Sequence, residues 1–317
     1  MNRPKADIVI VNWNSGRLLR ECLESISSSS DASLIERALV VDNASTDGSA
    51  DGLESLGFPI ELVRNRCNLG FGAACNLGAS KGVADYILFL NPDVRFFDGS
   101  LKKPIMYMES PESAGVGIVG VQLVGDGGKV WRSCSRFPAP SSLFLKSLGL
   151  EALFPRLGSF MVDWDHEDSR FVDQVMGAFF LIRRGLFEQL GGFDERFFVY
   201  FEDVDLSLRA RKAGWQSFYL AEAQAYHKGR GTTDRVKAER LLYSSTSKVL
   251  YGFKHFSLPA AFLVLFGALF AEPIARLLSA PLGRSSAEIV EVLRGYRMLW
   301  RSMPGAIKMA WCKEEEK

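Results

Sequence analysis

Cysteine pairs, clustered histidines, net charge and long apolar runs are all scarce in this 317-residue sequence. Its three histidines and five cysteines (at 22, 67, 75, 134 and 312) form neither a C-x-x-C pair nor the Cys/His spacing of a zinc site. That pattern fits a reduced, cytoplasmic chain. The 38 Lys and Arg nearly cancel the 37 Asp and Glu, leaving +1, which argues against wholesale nucleic-acid binding. No G-x-G-x-x-G follows the first strand-like run and no G-x-x-x-x-G-K-[ST] occurs, so the fingerprints of dinucleotide and P-loop sites are missing. The opening apolar run, Ile8 to Trp13, is too short for a signal-peptide core or a membrane span, and export is not expected.

What is present is globular composition, 47% hydrophobic and 24% charged, enough for one large α/β domain with an appendage. "DIVIVNWN", "RALVVDNAS", "IELVRN" and "DYILFLNPD" read as strands. "SGRLLRECLESISS", "TDGSADGLESL" and "GFGAACNLGASKG" read as the helices between them. Strands that are apolar at nearly every position, separated by helices, imply a parallel sheet covered on both faces. "AGVGIVGVQLV" and "KVWRS" read as a strand and a hairpin partner, and residues 133–170, with three prolines, as an irregular excursion. "FVDQVMGAFFLIRR", "EDVDLSLRARKAG" (a helix) and "WQSFYLAEAQAYH" return to regular structure. Beyond His227 the pattern is helical.

The four leading strands each end in polar residues: Asn12 and Asn14, Asp42 and Asn43, Asn65 and Asn68, Asn91 and Asp93. In an open parallel sheet those carboxyl ends share one rim, where ligands bind. A capping role competes with a binding role at each position. The binding reading is favoured for Asp42 and Asp93, and the two are even for Asn65 and Asn68. "FLNPDVRFF" places Pro92 and Asp93 where an apolar strand stops. A carboxylate there is either turn chemistry or a hold on a metal or phosphate.

Six ordered stretches, "VNWN", "VDNASTDGS", "NLGFGAACNLG", "FLNPDV", "MGAFFLIRR" and "GGFDERFFVYFEDVDLSLRARKAGW", resemble the family-2 inverting glycosyltransferases of the GT-A fold, in particular bacterial rhamnosyltransferases that build surface polysaccharides. The resemblance covers roughly residues 7 to 230. It implies an α/β fold, a Rossmann-like, mostly parallel mixed sheet sandwiched by helices. Residues 1–230 would form the catalytic domain and 231–317 a helical C-terminal region.

The resemblance implies a donor site at Val11, Asn12, Asn14, Asp42, Asn68, Asn91 and Asp93. In it Asp42 would accept from the imide N–H of uracil or thymine. Asp93 ends a metal-binding Asp-x-Asp element whose first acid is here Asn91, one charge fewer. The cofactor implied is Mg²⁺ or Mn²⁺, on Asp93 and, if His227 is not merely a satisfied strand-end histidine, on His227 too. The donor implied is dTDP-rhamnose, with a UDP-sugar as the alternative, and the acceptor a glycan or lipid-diphosphate-linked saccharide. Asp203 takes the role of catalytic base and Glu202 supports the acceptor, while Asp205 is left to the helix end. Phe197, Phe198, Tyr200 and Phe201 are expected to desolvate the acids and wall a sugar pocket. Gly177 and Ala178 either leave backbone open beside the acceptor or mark a strand bend.

Residues 228–254 carry seven Lys or Arg against Asp234 and Glu239, and 16 uncharged residues follow, "FSLPAAFLVLFGALFA". The expectation is a helix docked peripherally on the inner face of an anionic membrane, with a helix buried in the protein as the alternative. "SSAEIVEVLRGYRMLWRSM" reads as an amphipathic helix with Ile289, Val292, Leu293, Tyr296 and Leu299 on its packed side. Two other functions compete with this one. A non-catalytic nucleotide- or glycan-binding subunit has only the missing acid at Asn91 in its favour. A nucleotidyltransferase would need a glycine-rich loop that "NWNSGRLL" does not offer.

Overall fold

The computed structural model describes residues 4–229, 237–278 and 286–311. Contacts divide the chain into two units, one of Met1–Arg136, Asp163–Glu195 and Glu202–Thr232, the other of Phe137–Val162, Arg196–Phe201 and Thr233–Lys317.

The first unit is built on one sheet. Its leading half is four parallel strands in the order β3 (Ile60–Arg64), β2 (Ile35–Asp42), β1 (Ala6–Asn12) and β4 (Tyr86–Leu90). Every residue of β1 and β4 is buried, as unbroken β-branched and aromatic runs demand when both faces are covered. Helix α1 (Leu18–Ser28) follows β1 and buries Leu19, Cys22, Leu23 and Ile26 along one side. Helix α2 (Phe71–Ala79) packs so closely that a Cβ on Gly78 would lie 2.5 Å from Val9 Cγ1, so only glycine fits there. "TDGSADGLESL" forms a single 3₁₀ turn at Leu53–Leu56, its glycines taking left-handed φ where a helix would have continued.

Beyond β4 the chain continues through short β5 (Val94–Phe96), helix α3 (Lys102–Met108), β6 (Val116–Val124), β7 (Cys134–Ser135), β8 (Arg170–Val172), β9 (Gln174–Val175), β10 (Phe179–Arg183), α5 (Arg184–Gln189), α6 (Glu202–Lys212) and long β11 (Gln216–His227), with β7 and β9 paired as a separate two-stranded sheet and α4 (Pro140–Ser147) in the other unit. Strand β10 runs antiparallel between β4 and β6, β11 lies parallel to β6, and β5 closes the edge antiparallel to β11. The expected hairpin after β6 shrinks to one bridge, Val124 to Val130. The four described cysteines are unpaired, and Cys312 lies outside the described residues.

A buried ion pair anchors the start of the sheet. Asp7 is fully buried, and its Oδ2 accepts from Arg184 Nη2 at 2.7 Å and from the Ala84 N–H at 2.8 Å. Arg184 also donates to the carbonyls of Ala79 and Ala84, tying α5 to the end of α2 and the entry to β4.

The second unit packs helices α7 (Lys237–His255), α8 (Leu258–Phe266), α9 (Glu272–Leu278) and α10 (Ser286–Trp311) around Val249, Ala261, Ala268, Tyr296 and Leu299. A π-helical turn, Gly267–Ala271, joins α8 to α9, so the apolar stretch runs on as one helix to Leu278 rather than ending at Glu272. Glu272 stays inside because Lys248 Nζ reaches it at 2.6 Å and Arg276 at 2.8 Å. Burial alone would raise the Glu272 carboxyl, yet these cations leave it below the usual range. Lys248, expected among cations meeting a phosphate, is thus spent on Glu272, and Arg230 and Arg235 lie outside the described residues. Leu293, expected on the packed side of α10, is 50% exposed. Phe198 and Phe201, expected to wall a sugar pocket, stack within this unit on Tyr243 and Tyr251 of α7.

Replacing Arg184 by alanine strands the Asp7 carboxylate in the sheet. Denaturant unfolding should show a loss of about 3–5 kcal/mol. A loss below about 1 kcal/mol, the scale of an exposed pair, would remove the pair from its anchoring role.

Candidate active site

The rim at the carboxyl ends of β2, β1 and β4 carries most of the polar residues singled out above. Asn12 and Asp42 are register partners at the ends of β1 and β2, and Asn12 Nδ2 donates to Asp42 Oδ1 at 2.9 Å. The same amide reaches Ser45 and Ser49, and its oxygen accepts from Ser15. Fully buried and engaged on both ends, Asn12 holds Asp42 in place rather than presenting itself to solvent. Asp42 Oδ2 lies 3.7 Å from Arg64 Nη1, a residue sequence reasoning missed. Val11 is buried one position earlier, beside Val41.

Two neighbouring positions are held in left-handed backbone, Asn14 (φ 49°) and Ala44 (φ 63°). Such geometry costs about 1–3 kcal/mol per residue and collects at functional loops. Asn14 is fixed by Thr46 N–H donating to its Oδ1 at 2.8 Å. Asn43 and Asn68 knit the next loop: Asn43 Nδ2 donates to Asn68 Oδ1, while the side-chain amide of Asn65 and the N–H of Leu69 donate to Asn43 Oδ1. Asn68 Oδ1 also accepts from the Gly70 N–H at 2.9 Å and so shapes the approach to α2.

Strand β4 gives way to Asn91, Pro92 and Asp93. The Asn91 N–H donates to the Ala178 carbonyl at 3.0 Å, which brings the entry to β10 to the same rim. Ala178 itself is buried in the core. Because Val94 pairs with His227 across β5 and β11, Asp93 arrives beside that histidine, Oδ1 to Nε2 at 3.4 Å. His227 Nδ1 is buried without a hydrogen-bond partner. A carboxylate oxygen and an imidazole nitrogen this close are a donor pair suited to a divalent cation. Among the described residues no group of three or more such side chains gathers, so further ligands would have to be substrate oxygens or water. A polar cavity of about 230 Å³ opens beside Asp93, lined also by Glu21, Arg95, Asp126, Tyr226 and Lys228. It reaches neither Asp42 nor Asp203.

The acid pair at the head of α6 divides into two different environments. Asp203 Oδ2 accepts from Gln174 Nε2 and from the Gly177 N–H, each at 2.9 Å, and Oδ1 accepts from the Val204 N–H at 2.8 Å. A Cβ on Gly177 would lie 3.2 Å from Asp203 Oδ2, so glycine there makes room for the carboxylate, a reason different from those weighed in the sequence. Gln174, buried in β9, is a second residue the sequence did not announce. Glu202 is 6% exposed and its Oε2 is sealed from solvent without a partner.

Desolvation raises both carboxyls. Glu202 goes well above the usual range because Asp203 adds like charge, while donated N–H groups restrain Asp203. Burial and like charge thus favour the neutral form of Glu202, while the N–H donors favour the ionised form of Asp203. Just before them, Tyr200 and Phe201 both carry φ of 69°, a rare left-handed turn for two aromatics.

Comparisons with known proteins bear on the family and the fold. The family model described as glycosyl transferase family 2 matches residues 7–191, and that of glycosyl transferase family group 2 matches 153–302. The N-acetylglucosaminyl-diphospho-decaprenol L-rhamnosyltransferase of Mycobacterium tuberculosis is 30% identical over 262 residues, 77% of this chain and 82% of that protein. The rhamnosyltransferase WbbL of Escherichia coli K12 is 34% identical over 146 residues, 45% of this chain and about half (52%) of that protein. Among solved structures, the mannosyltransferase PcManGT of Pyrobaculum calidifontis, in complex with GDP-Man and Mn²⁺, superposes with a TM-score of 0.55 over 99% of this chain and 89% of its own, at 16% identity. Staphylococcus aureus TarS 1-349 in complex with UDP gives 0.52 over 95% and 91%, at 15% identity. The likeness in fold is to GT-A glycosyltransferases, as the strand order and mixed sheet require. The chain is a glycosyltransferase, and it belongs to glycosyl transferase family 2.

Proposed function

We propose that this enzyme moves L-rhamnose, with inversion, from a dTDP or UDP donor to a lipid-diphosphate-linked saccharide in the assembly of a cell-envelope polysaccharide. The observation that carries the proposal is the Asp203 carboxylate, held by three N–H donors beside buried Glu202, on the rim that also holds Asp42 and Asp93. Rhamnose and the lipid carrier are drawn from the mycobacterial relative's name.

Asp42 to β10 is three strand spacings, roughly 14 Å, enough to lay a nucleoside diphosphate sugar along the rim. On this reading the base lies at Asp42, between Val11 and Asn14, and Asn91 reaches the ribose or sugar. Asp93 and His227 would hold a divalent cation, whose charge would stabilise that developing on the departing diphosphate. Asp203 takes the proton from the acceptor hydroxyl. The hydroxyl oxygen bonds to the anomeric carbon from the face opposite the phosphate, the carbon–oxygen bond to phosphate breaks, and the nucleoside diphosphate leaves with that electron pair. Gln174 and Gly177 fix the carboxylate for that attack. Glu202 moves from acceptor contact to a positioning role, its retained proton sparing Asp203 a second adjacent charge.

Asp203→Asn should cut kcat by about 10²–10⁴ while leaving the Kd for nucleoside diphosphate unchanged. Isothermal titration beside a transfer assay reads both, and near-normal kcat would remove Asp203 from the chemistry. Asp93→Ala should abolish any manganese-dependent thermal shift by dTDP or UDP, and an unaltered shift would move the metal elsewhere.

The buried acid makes a prediction of its own. Because folding raises the Glu202 carboxyl above its ordinary value near ~4.3, its stability contribution is full below that pH and declines as pH rises toward the folded value. Glu202→Gln should therefore match the wild type near pH 4 and exceed it in stability at neutral pH. A variant less stable at neutral pH would show that Glu202 is ionised and paired.

A further inference from the structure

The solvent face of the helix running from Leu258 to Leu278 breaks the usual rule for a surface helix. Leu258, Phe262, Phe266, Phe270, Ile274 and Leu278, a strict four-residue repeat, are 47–75% exposed, and none of the exposed positions in this run is charged. In an α-helix a four-residue step drifts around the axis. The π-helical turn at Gly267–Ala271 takes more residues per turn and counters that drift, keeping the row on one side. The opposite side belongs to the protein: Ala261, Val264 and Ala268 are buried, and Glu272 is ion-paired. A helix with one side committed to a protein core and to an ion pair is unsuited to crossing a bilayer.

Alongside runs α10, tied to the apolar helix where the indole N–H of Trp300 donates to the Leu269 carbonyl at 3.1 Å. Among the charged side chains of α10 whose exposure is described, Arg294, Arg297, Arg301 and Lys308 are exposed and Glu291 is half-buried. Arg294 is paired with Glu239 at 3.1 Å, whereas Arg297, Arg301 and Lys308 recur along one side with half-exposed Trp300 among them. An apolar row of this length exceeds what a monomer leaves wet without a partner. A tryptophan tied to the apolar helix and three exposed cations on the helix beside it match the headgroup layer of an anionic membrane.

We propose that this face docks in the plane of an anionic lipid bilayer, the row from Leu258 to Leu278 entering the acyl boundary and Arg297, Arg301 and Lys308 meeting lipid phosphates. The proposal stands apart from the transferase chemistry, and its test needs no substrate.

The purified full chain is sedimented with phosphatidylcholine vesicles and with vesicles enriched in phosphatidylglycerol. Binding should be far tighter to the anionic set and weaken with salt. Exchanging Arg297, Arg301 and Lys308 together for glutamine should remove the preference, each cation being worth about fivefold. Phe266→Ser with Phe270→Ser should abolish binding to both sets, with circular dichroism and an unchanged nucleotide thermal shift showing that the fold and donor site survive. The proposal is overturned by absence of binding to anionic vesicles, by binding that survives the Phe exchanges, or by protein that resists alkaline extraction as a spanning helix would. It is equally overturned by a dimer in solution that those Phe exchanges dissolve, since a second copy would then be what covers the face.

Discussion

Parallel pairing of β1 with β2 and β4 is the constraint from which the site follows. Strands that run the same way end on the same side, so Asn12, Asp42 and Asn91 reach one rim although up to 79 positions separate them in sequence. Antiparallel β10 then has to begin where β4 ends, which delivers Gly177 to that rim, and Gly177 delivers Asp203. A single reversed strand in this set would scatter the carboxylates. The Asp7–Arg184 pair at the opposite end of β1 ties that pairing to α5, far in sequence from the acids it serves.

Within the site, burial and hydrogen bonding act unequally on two neighbouring acids. Glu202 and Asp203 are adjacent and both desolvated, but N–H donors converge on Asp203 while an oxygen of Glu202 is left bare. Desolvation lifts the Asp203 carboxyl and the N–H donors restrain that rise, whereas at Glu202 the like charge of Asp203 adds to burial.

Much of this was legible in the sequence because the signals are local. Unbroken apolar strands, their polar ends and the order of six motifs specify the sheet, the rim and the family. What stayed hidden depends on contacts across long stretches of chain. Nothing near Gln174 marks it as the donor to Asp203, and the glycine at 177 gives no sign that it clears a carboxylate 26 positions on. Hydrogen-bond partners of Asn12 and Asn68 lie in other segments, and the ring partners of Phe198 and Phe201 are on α7. The second unit was legible only as an apolar stretch, and the ion pair that admits Glu272 to its interior joins residues 24 positions apart.

The account stands or falls on where the nucleotide lies, and a crystal structure of the enzyme with dTDP or UDP and manganese shows that directly. It should place the base against Asp42, the diphosphate and the ion at Asp93 and His227, and open space in front of Asp203. A nucleotide bound away from this rim, or an ion held without Asp93, would contradict it.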